Sequence, residues 1–234
     1  MTSLTTDIDL MDTTIIHLTR HGEVDNPEGI LYARLPHFHL SPLGHQMARA
    51  VANNFQAISA DITTVLSSPL ERAIETATPT AEAYGLDIIT DERLIEAANS
   101  FEGIAVHANR SQILHPRYWN RFTHPLRPSW GEPYHEQAYR MVGALKRALH
   151  LARGHAAMVV SHQLPIWCLR SFVEGRHFAH LPSQRECSLA SVTSFTFVNN
   201  TLVGMSYDEP AADLVAKAKD VTPGRSQAIT NAGR

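Results

Sequence analysis

Thr13-Thr14-Ile15-Ile16-His17-Leu18 runs straight into Thr19-Arg20-His21-Gly22, and that join decides how the rest of the chain is read. The first six residues are mostly β-branched or apolar, so they read as a short strand. The strand gives way abruptly to a cation, an imidazole and a glycine. A long polar loop follows, in which Pro27, Gly29, Pro36 and Pro42 interrupt any periodicity. Ser41-Pro42 supplies an N-cap and first residue for a helix to about Ala57, with Met47, Val51 and Phe55 on one face.

The same alternation continues. Residues 62–66 form a second β-rich run, and Ser68-Pro69 opens a helix to about Tyr84, where Gly85 stops it. A weak strand near Ile88-Ile89 leads to Leu94-Ile95-Glu96. Residues 97–132 carry Trp119, Trp130, Pro116, Pro125 and Pro128 and read as a small lid of short irregular pieces. A helix then spans Glu136 to about Ala152, with Met141, Leu145 and Leu149 at helical spacing. Residues 156–160 are an almost unbroken apolar run, as in a buried parallel strand, ending in Ser161-His162-Gln163. A further helix reaches about Glu174, and two alternating runs about Asn199-Asn200-Thr201 form a closing hairpin.

Strand and helix alternating in this way predict an α/β fold: a three-layer α/β/α sandwich with a mainly parallel central sheet and a small lid region. Residues 1–13 read as a flexible lead, 14–208 as the folded domain with its lid at about 97–132, and 209–234 as a flexible tail. The net charge of −3 gives no reason to expect nucleic-acid or membrane binding, so any anion site must be a local grouping of arginines. No window approaches a membrane span, and the acidic start lacks the pattern of a signal peptide. The two cysteines, Cys168 and Cys187, fit neither a disulfide framework nor zinc spacing, which points to a reducing, cytoplasmic setting. His37, His39, His107, His115, His124 and His135 show no metal-ligand spacing, and no metal is assigned.

Ligands of such folds sit outside the carboxyl ends of the strands. His21, Glu96 and His162 each fall at or just after a predicted strand end, and Arg72 lies early in the following helix. A neutral imidazole there is a competent nucleophile if its other ring nitrogen is held by a hydrogen bond. Arg20 offers a planar set of donors matched to phosphate oxygens, and Gly22 lets a ligand approach the backbone. Taken singly, Arg72 reads as a solvated helix charge, His162 as a core histidine and Glu96 as a strand cap. Their joint occurrence at strand ends favours a site.

Leu18-Thr19-Arg20-His21-Gly22-Glu23, Ser68-Pro69-Leu70 with Arg72 and Glu75-Thr76, Glu96 before Phe101-Glu102-Gly103, and Val160-Ser161-His162 together resemble the signatures of the histidine phosphatase superfamily, the phosphoglycerate mutase-like group. Gly131-Glu132 followed by Arg140 resembles a lesser one. The resemblance spans about residues 14–207. It implies that His21 attacks phosphorus and becomes the phosphohistidine, that Arg20, Arg72 and His162 surround the phosphoryl oxygens, and that Glu96 is the general acid and then the base. It requires neither metal nor other cofactor. Asn26 and Arg34 fall in the loop where the family often has further phosphate contacts, although Asn26 is one residue closer to the nucleophile than usual. Gln163 stands where glycine is common; its backbone amide can still reach a phosphate, while its side chain narrows the pocket.

The resemblance implies a phosphomonoesterase acting on a small phosphorylated metabolite. A phosphoglycerate mutase-type phosphotransferase is the second reading. Its bisphosphate would need Arg117, Arg121 and Arg127 of the lid, and the long basic, tyrosine-containing insertion of such mutases is missing after Glu96. A catalytically inactive phospho-ligand binding protein is the third. Trp119, Arg121, Arg127 and Trp130 either face the leaving group or simply pack the lid onto the sheet. The oligomeric state stays open, a homodimer included.

Overall fold

In the computed structural model the described residues are 12–105 and 131–218, with Pro116 and Trp119 between them. Among these, six strands form one sheet in the order β3-β2-β4-β1-β5-β6. They are β1 (Thr13–Arg20), β2 (Ile62–Ser67), β3 (Ile88–Thr90), β4 (Ala156–Ser161), β5 (Val192–Val198) and β6 (Thr201–Asp208). The first four pair in parallel, whereas β5 runs antiparallel to β1 and β6 to β5. The expected α/β fold with a mainly parallel sheet is the one observed.

β4 is buried at every position, which explains its unbroken apolar run. Its side chains divide by parity. Met158 and Val160 join α1 (Pro42–Ala57) and α2 (Glu71–Tyr84) through Met47, Val51, Phe55, Ala73 and Ala77. Ala157 and Val159 face α3 (Tyr134–Leu151) and α4 (Gln163–Val173) through Met141, Leu145, Ile166 and Leu169. Two cores on opposite faces of one sheet make the three layers. Each buried Leu, Met or Phe contributes about 1.5–3 kcal/mol.

Local chemistry sets the boundaries. The Ser41 hydroxyl accepts from the Gly44 N–H, with Pro42 in the first turn, so α1 starts where the Ser-Pro pair placed it. Gly85 adopts φ 65° and closes α2. Asn199 and Asn200, at φ 48° and 64°, give the β5–β6 hairpin a tight turn with both central residues left-handed, and Thr201 already belongs to β6.

Two expectations change. Ser68-Pro69 does not cap α2, which begins at Glu71 with Leu70 at its N-cap and no side-chain cap. Residues 209–218, assigned to the tail from sequence, carry the short helix α5 (Ala212–Val215), and Ala211 is buried in the core that contains α1. A single turn is too short to show as an apolar stripe. Residues 1–11 and 219–234 lie outside the described residues, as does most of the expected lid, with Arg117, Arg121, Arg127 and Trp130. Among the described residues no helix is long and apolar enough to cross a membrane.

Candidate active site

β2, β4 and β1 are neighbours and parallel, so their carboxyl ends share one edge. Ser68, His162 and His21 each follow one of these strands directly. Glu96 comes less directly, after β3 and a 3-10 turn at Glu92–Leu94. The Ser161 hydroxyl donates to the Leu94 carbonyl at 2.7 Å and ties that segment to the end of β4. The Arg34 Nε donates to the Glu96 carbonyl at 2.7 Å from the other side. Glu96 is thus placed by tertiary contacts and not by a strand.

His21 is buried, and its Nδ1 lies 2.8 Å from the Gly22 carbonyl. A carbonyl can only accept, so the ring proton sits on Nδ1 and Nε2 keeps its lone pair. Burial, with Arg72 and Arg20 adding like charge, holds the imidazole well below its ordinary pKa. It is neutral throughout the physiological range. The His162 ring lies 5.1 Å from it, centroid to centroid, and burial and Arg72 likewise keep that ring neutral. The Ser68 hydroxyl meets His162 Nε2 at 2.8 Å, which explains its absence from the α2 cap. A hydroxyl can donate or accept, so this contact engages Nε2 without fixing which His162 nitrogen carries the proton.

Arg72 is fully buried, which excludes the solvated-helix reading. Its Nη2 donates to the Ala33 carbonyl at 2.6 Å and its guanidinium carbon stands 4.7 Å from the centre of the Tyr32 ring. The Nε and Nη1 of Arg72 and the Nδ1 of His162 are buried without a partner among the described residues. Arg20 is also buried and donates from Nη1 to the Cys187 carbonyl at 2.8 Å. Buried donors and cations of this kind are expensive unless an anion meets them. Burial acts the other way on Glu96: its recessed carboxyl, which accepts from the Ala97 N–H at 2.7 Å, is pushed above the ordinary range although Arg72, Arg140 and Arg20 oppose the shift. A neutral imidazole and a carboxyl whose pKa burial raises therefore face one pocket, about 260 Å³ in volume, that both side chains line.

Other candidates have different work. Gly22 is not opened to a ligand: a Cβ there would stand 2.7 Å from the Gly44 carbonyl oxygen, while its N–H donates to Thr76. A Cβ on Gly44 would come within 2.0 Å of the Glu23 carbonyl oxygen. The two glycines let α1 press against the nucleophile loop. Gly44→Ala is expected to destabilise the fold by about 3 kcal/mol and Gly22→Ala by less, read from urea unfolding; equal stability of all three proteins would contradict this packing.

Asn26, expected at a phosphate, engages both ends of its amide with the Ile30 backbone and closes a loop. Arg34 is a brace: besides Glu96 it holds Glu132 at 2.8 Å, and Glu132 also pairs with Arg140. Gln163 lines the pocket, as do Tyr32 and Arg185, which sequence reading passed over. No strand end or motif marks either of the latter two.

Two neutral histidines and two buried arginines thus stand at the carboxyl edge of the sheet in a three-layer fold. The family model for the histidine phosphatase superfamily (branch 1) matches residues 16–208, and the chain belongs to that superfamily. An uncharacterised Mycobacterium tuberculosis protein is 47% identical over 199 residues, covering 85% of this chain and 98% of its own. A probable phosphoglycerate mutase of Yersinia pestis is 31% identical, covering 76% of this chain and 83% of its own. Among solved structures, Bacillus stearothermophilus YhfR matches with a TM-score of 0.68 at 25% identity, over 81% of this chain and 94% of that one. A mycobacterial glucosyl-3-phosphoglycerate phosphatase shares the fold with a TM-score of 0.66 at 22% identity, over 84% of this chain and 98% of that one.

Proposed function

We propose that this chain is a metal-independent phosphomonoesterase that hydrolyses a small phosphorylated metabolite through a phosphohistidine on His21. The observation that carries the reading is the set of buried nitrogens without partners among the described residues, Arg72 Nε and Nη1 and His162 Nδ1, beside an imidazole whose Nδ1 is engaged. A phosphoryl group would meet those nitrogens, with Arg20 beside them. His21 Nε2 attacks phosphorus in line, the ester P–O bond breaks, and protonated Glu96 gives its proton to the leaving oxygen. The new P–N bond leaves a cationic ring, whose Nδ1–H is held by the Gly22 carbonyl. Water then attacks phosphorus while the Glu96 carboxylate takes its proton, the P–N bond breaks, and inorganic phosphate departs with His21 neutral again.

A cavity of about 260 Å³ suits a phosphate with a small leaving group, which favours a metabolite as substrate. Cys168 and Cys187 are both free and buried, in keeping with a reducing compartment, and we place the reaction in the cytoplasm. The test is release of inorganic phosphate from an aryl phosphate between pH 4 and 8, followed by product analysis with 3-phosphoglycerate. Inorganic phosphate supports the proposal; 2-phosphoglycerate as the main product would replace it with a mutase; no turnover by folded protein would sink both.

A further inference from the structure

Arg185 enters the same pocket from a different direction. It follows a 3-10 turn at Pro182–Gln184, far from the strands that deliver the histidines, and lines the cavity with His21, Glu96, Tyr32 and Gln163. Its Nε donates to His180 Nε2 at 2.8 Å, and Nη1 donates to Gln163 Oε1 at 3.2 Å. His180 must then carry its proton on Nδ1, which lies 2.6 Å from the Phe178 carbonyl. Both partners are neutral acceptors that orient the guanidinium without neutralising it.

The carboxylate next to it in sequence is taken: Glu186 pairs with Arg170 at 2.8 Å and lends Arg170 its carbonyl as well. Among the described residues no carboxylate forms an ion pair with Arg185, and its Nη2 has no hydrogen-bond partner. The rest of the nearby wall is largely hydrocarbon, from Ile30, Leu31, Ala97, Leu164 and Pro182. An oriented, half-buried cation on an apolar wall, outside the group that would meet the phosphoryl oxygens, is a recognition element for a second anion.

We propose that Arg185, oriented by Gln163 and His180, is the residue that selects substrates whose leaving group carries a carboxylate. One guanidinium balances one carboxylate, and its planar pair of donors fits the two oxygens; a second phosphate dianion would call for more than this single cation. Gln163 then has a definite task. Where the family commonly has glycine, its side-chain oxygen holds Arg185 at the pocket wall. The proposal rests on the phosphoryl site assigned above and names the class of ester it takes.

Two phosphate esters of equal length test it. 3-Phosphoglycerate ends in a carboxylate where glycerol 3-phosphate ends in a hydroxymethyl group. Their binding is measured by calorimetry on the full chain in a His21→Ala background, which removes turnover, with and without Arg185→Met. With Arg185 present, 3-phosphoglycerate should bind about tenfold to a hundredfold more tightly than glycerol 3-phosphate, and Arg185→Met should bring that ratio close to one. Gln163→Gly should reduce the ratio in part. Equal binding of the two esters in the Arg185 protein, no binding of either, or a preference that survives Arg185→Met would overturn the assignment. Arg185→Gln, read alongside thermal melting, replaces the methionine variant should that one fail to fold. If the catalytic chain hydrolyses aryl phosphate yet shows no carboxylate preference, only the role of Arg185 falls. If the preference holds but no ester is hydrolysed, the phosphatase reading falls and Arg185 keeps its role.

Discussion

His21→Ala is expected to lose at least about 10⁴-fold in turnover and to form no phosphoenzyme. The imidazole combines a free lone pair on Nε2 with an engaged second nitrogen, because the Gly22 carbonyl fixes the proton on Nδ1. In His162 it is Nε2 that is engaged, by the Ser68 hydroxyl. Rapid acid quench with a phosphorus-labelled substrate, followed by alkaline gel separation that preserves phosphohistidine, reads the intermediate directly. Thermal melting of the variant beside the parent separates lost chemistry from lost fold. A labelled, acid-labile protein band surviving in His21→Ala would place the nucleophile elsewhere.

Glu96→Gln should divide substrates by leaving group. The amide keeps the shape and can still accept the Ala97 N–H, but it can neither give nor take the proton. For an alkyl phosphate, whose alkoxide is a poor leaving group, turnover should fall by about 10²–10⁴-fold with no burst. For a nitrophenyl phosphate the first step needs little acid, so nitrophenol should appear in a rapid burst equal to the enzyme present, and slow hydrolysis should follow for want of the base. Uniform loss without a burst would remove Glu96 from both steps. The pH profile adds a signed check. Burial raises the Glu96 pKa, so the acid form persists to higher pH than in an ordinary glutamate and is lost as pH rises through that value. kcat/KM should decline along this alkaline limb in the parent, and the limb should vanish in Glu96→Gln. Acidification should not bring a loss from His21 until well below pH 6.5, because its folded pKa is depressed.

Much of the fold was readable because the information is local. The unbroken apolar run of residues 156–160, the Ser41-Pro42 cap, the Gly85 stop and the Asn199-Asn200 turn each act within a few residues. α5 escaped because one turn has no period to detect, and Ser68-Pro69 misled because the serine has a better partner across the sheet.

At the site, the sequence determined that an imidazole would follow β1 and another would follow β4, since strand ends are fixed by residue type. Tertiary structure alone decided what those side chains meet. Strand order sets β4 between β2 and β1, which brings His162 to Ser68 and within ring contact of His21. Close packing makes Gly22 a contact for Gly44, and turns Arg34 into a brace for Glu96 and Glu132. Arg185 reaches Gln163 across 22 residues of chain that carry no motif. Periodicity and capping are summed along the backbone and so are visible in a string of residues, whereas burial, pKa and hydrogen-bond partners depend on which distant segments exclude water together.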